Sequence, residues 1–306
     1  MANSDNNRML TKVARMYYDE GATQAEIAKI LGVSRSLISK YLIMARESGI
    51  VKIIINEDFQ NAEASQLEKE LEQRFGLREA IVVTESRDLG LSASNYLLRI
   101  VRNNQIIGVS SGIQVAEVAS ALKKQQTSML TIIPLVGGIG HLHFELHANQ
   151  ITSVIADKLG AEHKFLHAPV VVDSAEAKEV FLKQSLLSEV FILAERCDIA
   201  IVGIGGEPES STIVEAFINE DDRRESKEKG AVGVVCNNFI DSNGQEIDGS
   251  WNSRVISISI DSLKKIPTVI GIVHGDRKVP AIRAALNGKM INVLITDQLT
   301  AEKLLM

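Results

Sequence analysis

Beyond Gly76 the chain is a succession of short apolar runs rich in β-branched residues. They are AIVVT (80–84), QIIGVS (105–110), MLTIIPLV (129–136), DIAIVGIG (198–205), AVGVV (231–235), RVISISI (254–260), TVIGIVHG (268–275) and NVLITD (292–297). Runs of this length and composition read as strands buried on both faces. Helical patterns lie between most of them. Strand alternating with helix implies a largely parallel sheet with helices on both sides. Right-handed crossovers then bring the strand C-termini to one rim, where open α/β sheets bind ligands. Composition agrees: the chain is 45% hydrophobic but only 4% aromatic, its core-forming residues being mainly Ile, Val, Leu and Ala. Its 306 residues suffice for one large core and a small additional domain. No tandem repeat or low-complexity tract interrupts it.

The first 57 residues follow another pattern. In TQAEIAKILGVSRSLISKYLIMARESGIV (23–51), Thr23 and Glu26 form a capping box that starts a helix. Ile27, Ile30 and Leu31 give it an apolar face, and Ala28 is small where a second helix must cross. Gly32 falls at the tight turn, and Val33 anchors it. Ser34 caps a second helix that turns Leu37, Ile38, Tyr41 and Leu42 inward. Its outer face offers Arg35, Ser36, Ser39, Lys40 and Ile43. Short polar and basic side chains on such a helix are what reading a DNA major groove requires. A preceding helix over about 8–19 completes a three-helix core, and GIVKIIIN (49–56) reads as a short β wing. The candidate DNA contacts are Thr23, Gln24, Ser34, Arg35, Ser36, Ser39, Lys40 and Lys52.

Charge supports this division. The whole chain carries −6, yet residues 29–52 hold five cations and one anion, or +4, leaving −10 for the rest. A basic element on an acidic body suits a protein that touches nucleic acid at one end. Between the two parts, residues 58–76 read as a connector helix. Leu67, Leu71 and Phe75 share one face, which either packs on the following domain or forms a dimer contact. Cys197 and Cys236 have neither metal nor redox spacing, so no disulfide framework is expected and a reducing cytoplasm is the default. The N-terminus MANSDNNR has no apolar signal core, and no apolar stretch reaches the roughly 20 residues needed to span a bilayer.

Residues 8–51 resemble the N-terminus of the SorC/DeoR-type sugar-responsive bacterial regulators. The resemblance continues through IIGVSSGIQV (106–115), IPLVGGIG (133–140), FLHAPVVV (165–172), IAIVGIGG (199–206), GAVGVVCNNFID (230–241) and residues 266–305. It implies a winged helix-turn-helix domain (1–57) joined through the connector (58–76) to an α/β, Rossmann-like effector and oligomerisation domain (77–306). That domain would be related in fold to phosphosugar isomerases and CoA transferases. The resemblance further implies operator DNA as partner, a sugar or sugar phosphate as effector, and a dimer or tetramer.

Glycine turns after the expected strands suit an anionic ligand, because exposed amides and a following helix start favour negative charge. They are Gly112, Gly137–Gly138, Gly203–Gly205–Gly206 and Gly275. None forms a dinucleotide-binding G-x-G-x-x-G, and no cofactor is expected. The candidate effector contacts are Ser110, Ser111, Gly112, Gln114, Gly137, Gly138, His141, Gly203, Gly205, Gly206, Asp241 and Lys278. Lys278 matches the family's closing lysine and is assigned to a phosphate or carboxylate. Two departures stand out. The family's first turn often reads Ser-Trp-Gly followed by hydroxyl residues, whereas this chain has Ser111 for the tryptophan and Ile113 and Gln114 for the hydroxyls. Val136 replaces a lysine that forms an aldehyde adduct in one branch, which excludes a Schiff base there. HLHFELH (141–147) reads as a loop over the pocket rather than a metal site. An isomerase using Glu207 or Glu209 as base is the alternative to a regulator, and a ligand-free oligomerisation platform is a third reading.

Overall fold

The computed structural model describes residues 2–52, 59–138, 143–207, 214 and 217–306. The chain divides into two compact units, Met1–Asp58 and Phe59–Met306.

The smaller unit consists of α1 (Ala2–Tyr18), α2 (Gln24–Leu31) and α3 (Arg35–Glu47). Both α1 and α2 pack on α3. Val13 and Met16 of α1 meet Ile27 and Ala28 of α2 and Ile38 and Leu42 of α3 in one core. The Thr23–Glu26 capping box is complete, and Gly32 ends α2 in the left-handed region at φ 66°. Ser34 Oγ accepts the Leu37 amide 3.2 Å away and so starts α3. One residue departs from the expected pattern. Ile30 is 64% exposed rather than buried on the apolar face of α2. Residues 49–52 carry no strand, and residues 53–56 of the expected wing lie outside the described residues.

The larger unit begins with α4 (Phe59–Phe75), whose Leu71 is buried with Leu67 and Phe75 packed beside it in the main core. The apolar stripe therefore packs on its own domain. Its glutamates have a second task. Glu68 and Glu72 accept the Val82 and Ala80 amides, each at 2.9 Å. These amides belong to β1 (Glu79–Val83), which lies at the end of the sheet. An edge strand otherwise presents unpaired amides, and α4 covers them.

Chain order continues through α5 (Leu89–Ile100), β2 (Ile106–Val109), α6 (Ile113–Ala121), β3 (Thr131–Pro134), α7 (Ala148–Leu159) and β4 (Glu162–His163). Then come α8 (Ala175–Leu182), α9 (Ser185–Ala194), β5 (Ile199–Gly205), β6 (Gly233–Val235), β7 (Asn238–Ile240), β8 (Thr268–Ile272) and β9 (Val293–Asp297). The main sheet runs β1-β9-β8-β5-β2-β3-β4 with every pair parallel. Alternate strand residues feed opposite faces. Ile199 and Ile201 join the core under α5, α6 and α7, while Ala200 and Val202 join the core under α9 and the helix Val279–Asn287.

Two expected strands took other forms. AVGVV contributes β6, but as half of an antiparallel hairpin with β7 that pairs with the end of β5. RVISISI is no strand. Val255, Ile256 and Ile258 are buried, yet only isolated bridges form, Val255 with Val171 and Ser257 with Val136. The segment alternates because it crosses the core between the helices Ser250–Arg254 and Ile260–Leu263.

Candidate DNA interface and effector pocket

On the smaller unit, α3 presents exposed Arg35, Ser36, Lys40 and Ile43, with Ser39 half-buried between them. Ser36 and Ser34 hydroxyls lie 2.9 Å apart. Arg35 and Lys40 have no ion pair among the described residues, so both charges are available to an anion. Thr23 is exposed at the start of α2, where its amide donates to Glu26 Oε2 at 2.8 Å. That bond holds the Glu26 carboxyl below its ordinary range. Gln24 is half-buried beside it, and Lys52 is exposed. A short, exposed, basic helix face braced by two others is the form in which helix-turn-helix proteins meet the major groove.

On the larger unit, β2 leads to β3 on one side of the sheet, while β8 leads to β9 on the other. The connections diverge between β2 and β5. Such a switch point opens a crevice beyond the strand C-termini, and a cleft of about 580 Å³, open mouth included, lies there.

Its floor is Ser110–Gln114, where β2 turns into α6. Gly112 takes φ 120° and ψ 166°, a conformation other residues avoid, and α6 starts without a side-chain cap. The Gly112 amide donates to the Leu146 carbonyl at 3.1 Å, and the amides that follow in the first turn of α6 have no side-chain cap, an arrangement that suits an anion. Ser110 Oγ accepts the Gly203 amide at 3.3 Å and donates to the Ser111 carbonyl at 3.2 Å, tying the end of β2 to β5. Gly203, Ile204 and Gly205 of β5 form one wall. They lie inside the strand rather than in a turn after it.

The β6–β7 hairpin, whose β6 pairs with Ile204 and Gly205 of β5, continues this wall. Val235 pairs with Asn238, so Cys236 and Asn237 make a two-residue turn, with φ 48° and 63°. Two positive φ values in that position match the twist of a tight hairpin. Trp251 Nε1 donates to the Asn237 carbonyl at 2.8 Å and braces the turn from behind. Burial pushes the Cys236 thiol up to about 12, so it stays neutral.

Lys278 completes the lining from the turn before the helix Val279–Asn287. Desolvation lowers its pKa, against an opposing pull from Glu117, and it has no ion pair among the described residues. A partly desolvated ammonium and an uncapped helix start lining the same cleft suit an anion by charge and by hydrogen bonding.

Residues 60–306 match the family described as "Putative sugar-binding domain", and residues 11–47 match "Sigma-70, region 4". The sorbitol operon regulator of Klebsiella pneumoniae is 32% identical over the full length of both chains. The chain belongs to the SorC family of sugar-responsive transcriptional regulators. The crystal structure of the Klebsiella SorC superposes with a TM-score of 0.77 over 99% of this chain and 100% of that one. A DeoR family regulator from Listeria monocytogenes is 33% identical, with a TM-score of 0.73 over 79% of this chain and 99% of its own. The deoxyribonucleoside regulator of Bacillus subtilis is 29% identical over 98% of each chain. The helix-turn-helix plus larger α/β domain is therefore the family fold, and this SorC-family chain is a regulator, not an enzyme.

Within this SorC-family chain the cleft brings together Ser110, Ser111, Gly112, Gln114, Gly203, Gly205 and Lys278. Other candidate contacts lie elsewhere. The Gly137 and Gly138 amides already donate to Ile256 and Ala168 carbonyls, at 2.9 and 2.8 Å. A Cβ on Gly137 would sit 2.4 Å from the Pro169 carbonyl oxygen, so glycine serves close backbone packing there. Asp241 organises the loop after β7, its Oδ1 accepting the Asn243 and Gln245 amides at 2.9 and 2.8 Å. Gly206 is buried just past β5, outside the lining. Glu207 is exposed and outside it too. His141 and Glu209 lie outside the described residues. Among the described residues of the histidine-bearing loop, Leu146 reaches the cleft, while His143 and His147 are outside its lining. Among the described residues no group of three His, Cys, Asp or Glu could hold a metal, and no helix is long and apolar enough to cross a membrane. Cys236 and Asn237 were not anticipated. Their signal was present in VVCNNF, where Asn237, a residue type that tolerates positive φ, falls between two apolar runs.

Proposed function

We propose that this chain controls a carbohydrate-utilisation operon, with α3 reading operator DNA and the cleft between β2 and β5 binding a sugar or sugar phosphate. Residues 1–57 are the DNA-binding domain, 58–76 the connector, and 77–306 the effector and oligomerisation domain of a cytoplasmic homo-oligomer. The observation that carries the reading is the cleft at the switch point, where Lys278, with no ion pair among the described residues, and the uncapped start of α6 favour an anion. Ser110, Ser111, Gly112, Gln114, Gly203 and Gly205 supply the remaining contacts. Arg35, Ser36, Ser39 and Lys40 contact bases and phosphates, with Thr23, Gln24, Ser34 and Lys52 on the flanking backbone. The effector acts by binding two arrangements of the protein unequally, which shifts DNA affinity.

A thermal-shift screen of sugars and their phosphates tests the cleft. A specific ligand at 100 times its Kd stabilises the folded chain by about 2.7 kcal/mol. A gel shift on the protein's own promoter region tests α3. Arg35→Ala is expected to weaken binding roughly 5- to 150-fold, since a bidentate base contact contributes about 1–3 kcal/mol. Unchanged affinity and sequence preference in that variant would remove α3 from the reading role.

A further inference from the structure

The hairpin turn contributes to the cleft one side chain whose amide nitrogen has no hydrogen-bond partner among the described residues. Asn237 is 5% exposed and lines the cleft, and its amide nitrogen is buried without a hydrogen-bond partner among the described residues. Its neighbours are satisfied. Asn238 donates to the Cys236 carbonyl at 3.2 Å and to Ser257 Oγ at 3.0 Å. Asn252 accepts the Phe239 amide at 2.8 Å and donates to the Phe239 and Ile247 carbonyls at 3.0 and 2.7 Å. Of the three asparagine side chains around this turn, the unmet one is the one that lines the cleft.

Backbone conformation alone does not explain the residue. A φ of 63° is met at least as well by glycine, which leaves no buried donor. An unpaired buried donor is costly, and such groups persist where a ligand completes them. We propose that Asn237 reads the effector, donating its amide N–H to a ligand oxygen and setting which sugar the cleft accepts. This rests on the effector-pocket reading and divides the site by chemistry. Lys278 and the start of α6 hold the anionic group. Asn237 meets a hydroxyl or carbonyl oxygen on the remainder of the molecule. The ligand class is thus a small anionic polyol or sugar with an acceptor oxygen on the hairpin side. A site built to hydrogen-bond such an oxygen rejects analogues lacking it far more strongly than an apolar wall would.

The test uses the full chain as wild type, Asn237→Gly and Asn237→Asp. The probes are inorganic phosphate and a panel of sugars with their phosphates: glucose 6-phosphate, fructose 6-phosphate, sorbitol 6-phosphate, ribose 5-phosphate and 2-deoxyribose 5-phosphate. Binding is ranked by thermal shift and quantified by calorimetry. Asn237→Gly keeps the turn and removes the amide. It should bind inorganic phosphate as wild type does, bind the best sugar phosphate at least tenfold more weakly, and rank the panel less steeply. Asn237→Asp keeps the shape but places a carboxylate in the cleft, and should lose the sugar phosphate and phosphate alike. Wild-type affinity and ranking in either variant would reduce Asn237 to a turn residue. If the wild-type chain itself responds to no probe, the pocket reading fails and the proposal falls with it.

Discussion

Lys278 is a cation that lines the cleft with no ion pair among the described residues, and that arrangement has a sign. Desolvation lowers its pKa below the ordinary 10.5. Between the lowered value and 10.5 the unfolded chain holds more protons at this position than the folded chain. Stability from this group therefore rises with pH across that window and is not recovered below it. An anion bound beside the amine reverses the shift, so binding takes up a proton in the same range. Affinity for an anionic effector should fall as pH rises through the lowered pKa. Lys278→Met should abolish that dependence, leave the ligand-free protein at least as stable, and weaken binding by about 1.5–3 kcal/mol, the contribution of a charged hydrogen bond. Calorimetric titrations near neutrality and at alkaline pH measure both effects. A variant that binds as wild type at each pH would take the lysine out of the ligand's reach. The lysine was picked out by the match of HGDRK to the family's closing lysine, and it lines the cleft. Gly137 and Gly138 looked equally suited, yet they lie outside the cleft lining, in close backbone packing with Ile256 and Ala168. A glycine-rich turn reveals that backbone comes close to something. Which partner comes close depends on long-range packing that local sequence does not encode.

At the scale of elements, the parallel sheet was legible because its strands are short, apolar and separated by helices, so local pattern and tertiary role coincide. The hairpin was less so. Nothing local distinguishes GVV in β6 from a parallel strand, and its antiparallel pairing with β5 is a tertiary outcome. What seats the hairpin is Gly233. A Cβ there would lie 2.4 Å from the Cβ of Ala281 and 3.2 Å from the Gly205 carbonyl oxygen. Gly233→Ala should destabilise the larger unit by roughly 1–3 kcal/mol through overpacking. It should also weaken effector binding, because the hairpin carries Asn237 into the cleft. Adding Ala281→Gly removes the closest atom and should restore part of both, less about 1 kcal/mol for glycine in a helix. Denaturant unfolding and ligand titration of the single and double variants give the comparison. Additive losses would mean that the two residues do not meet. The helix-turn-helix was the most legible element, since capping box, turn glycine and capping serine are all local devices. Ile30 was misread because a helical face of apolar residues does not reveal where the packed stripe ends.

For the whole molecule, charge and thermodynamics constrain how the two functions are joined. The reader is basic only locally, +4 across residues 29–52 of a chain carrying −6. Few phosphates can be neutralised by one such helix, so tight operator binding calls for several copies held together. Control by an effector adds a stricter requirement. If the ligand changes operator affinity by some factor, the operator must change ligand affinity by the same factor, because both describe one coupling free energy. Couplings of this kind are typically about 1–3 kcal/mol, or roughly 5- to 150-fold. Effector titrations should therefore give different affinities with and without saturating operator duplex, tighter for a ligand-dependent activator and weaker for a repressor released by ligand. The ratio should equal the change in operator affinity measured by gel shift with and without effector. Equal effector affinities under both conditions would mean that the cleft binds its ligand without governing DNA, whatever the strength of either interaction. A ratio that matches would make the sign of the coupling, and with it the direction of gene control, a measured quantity.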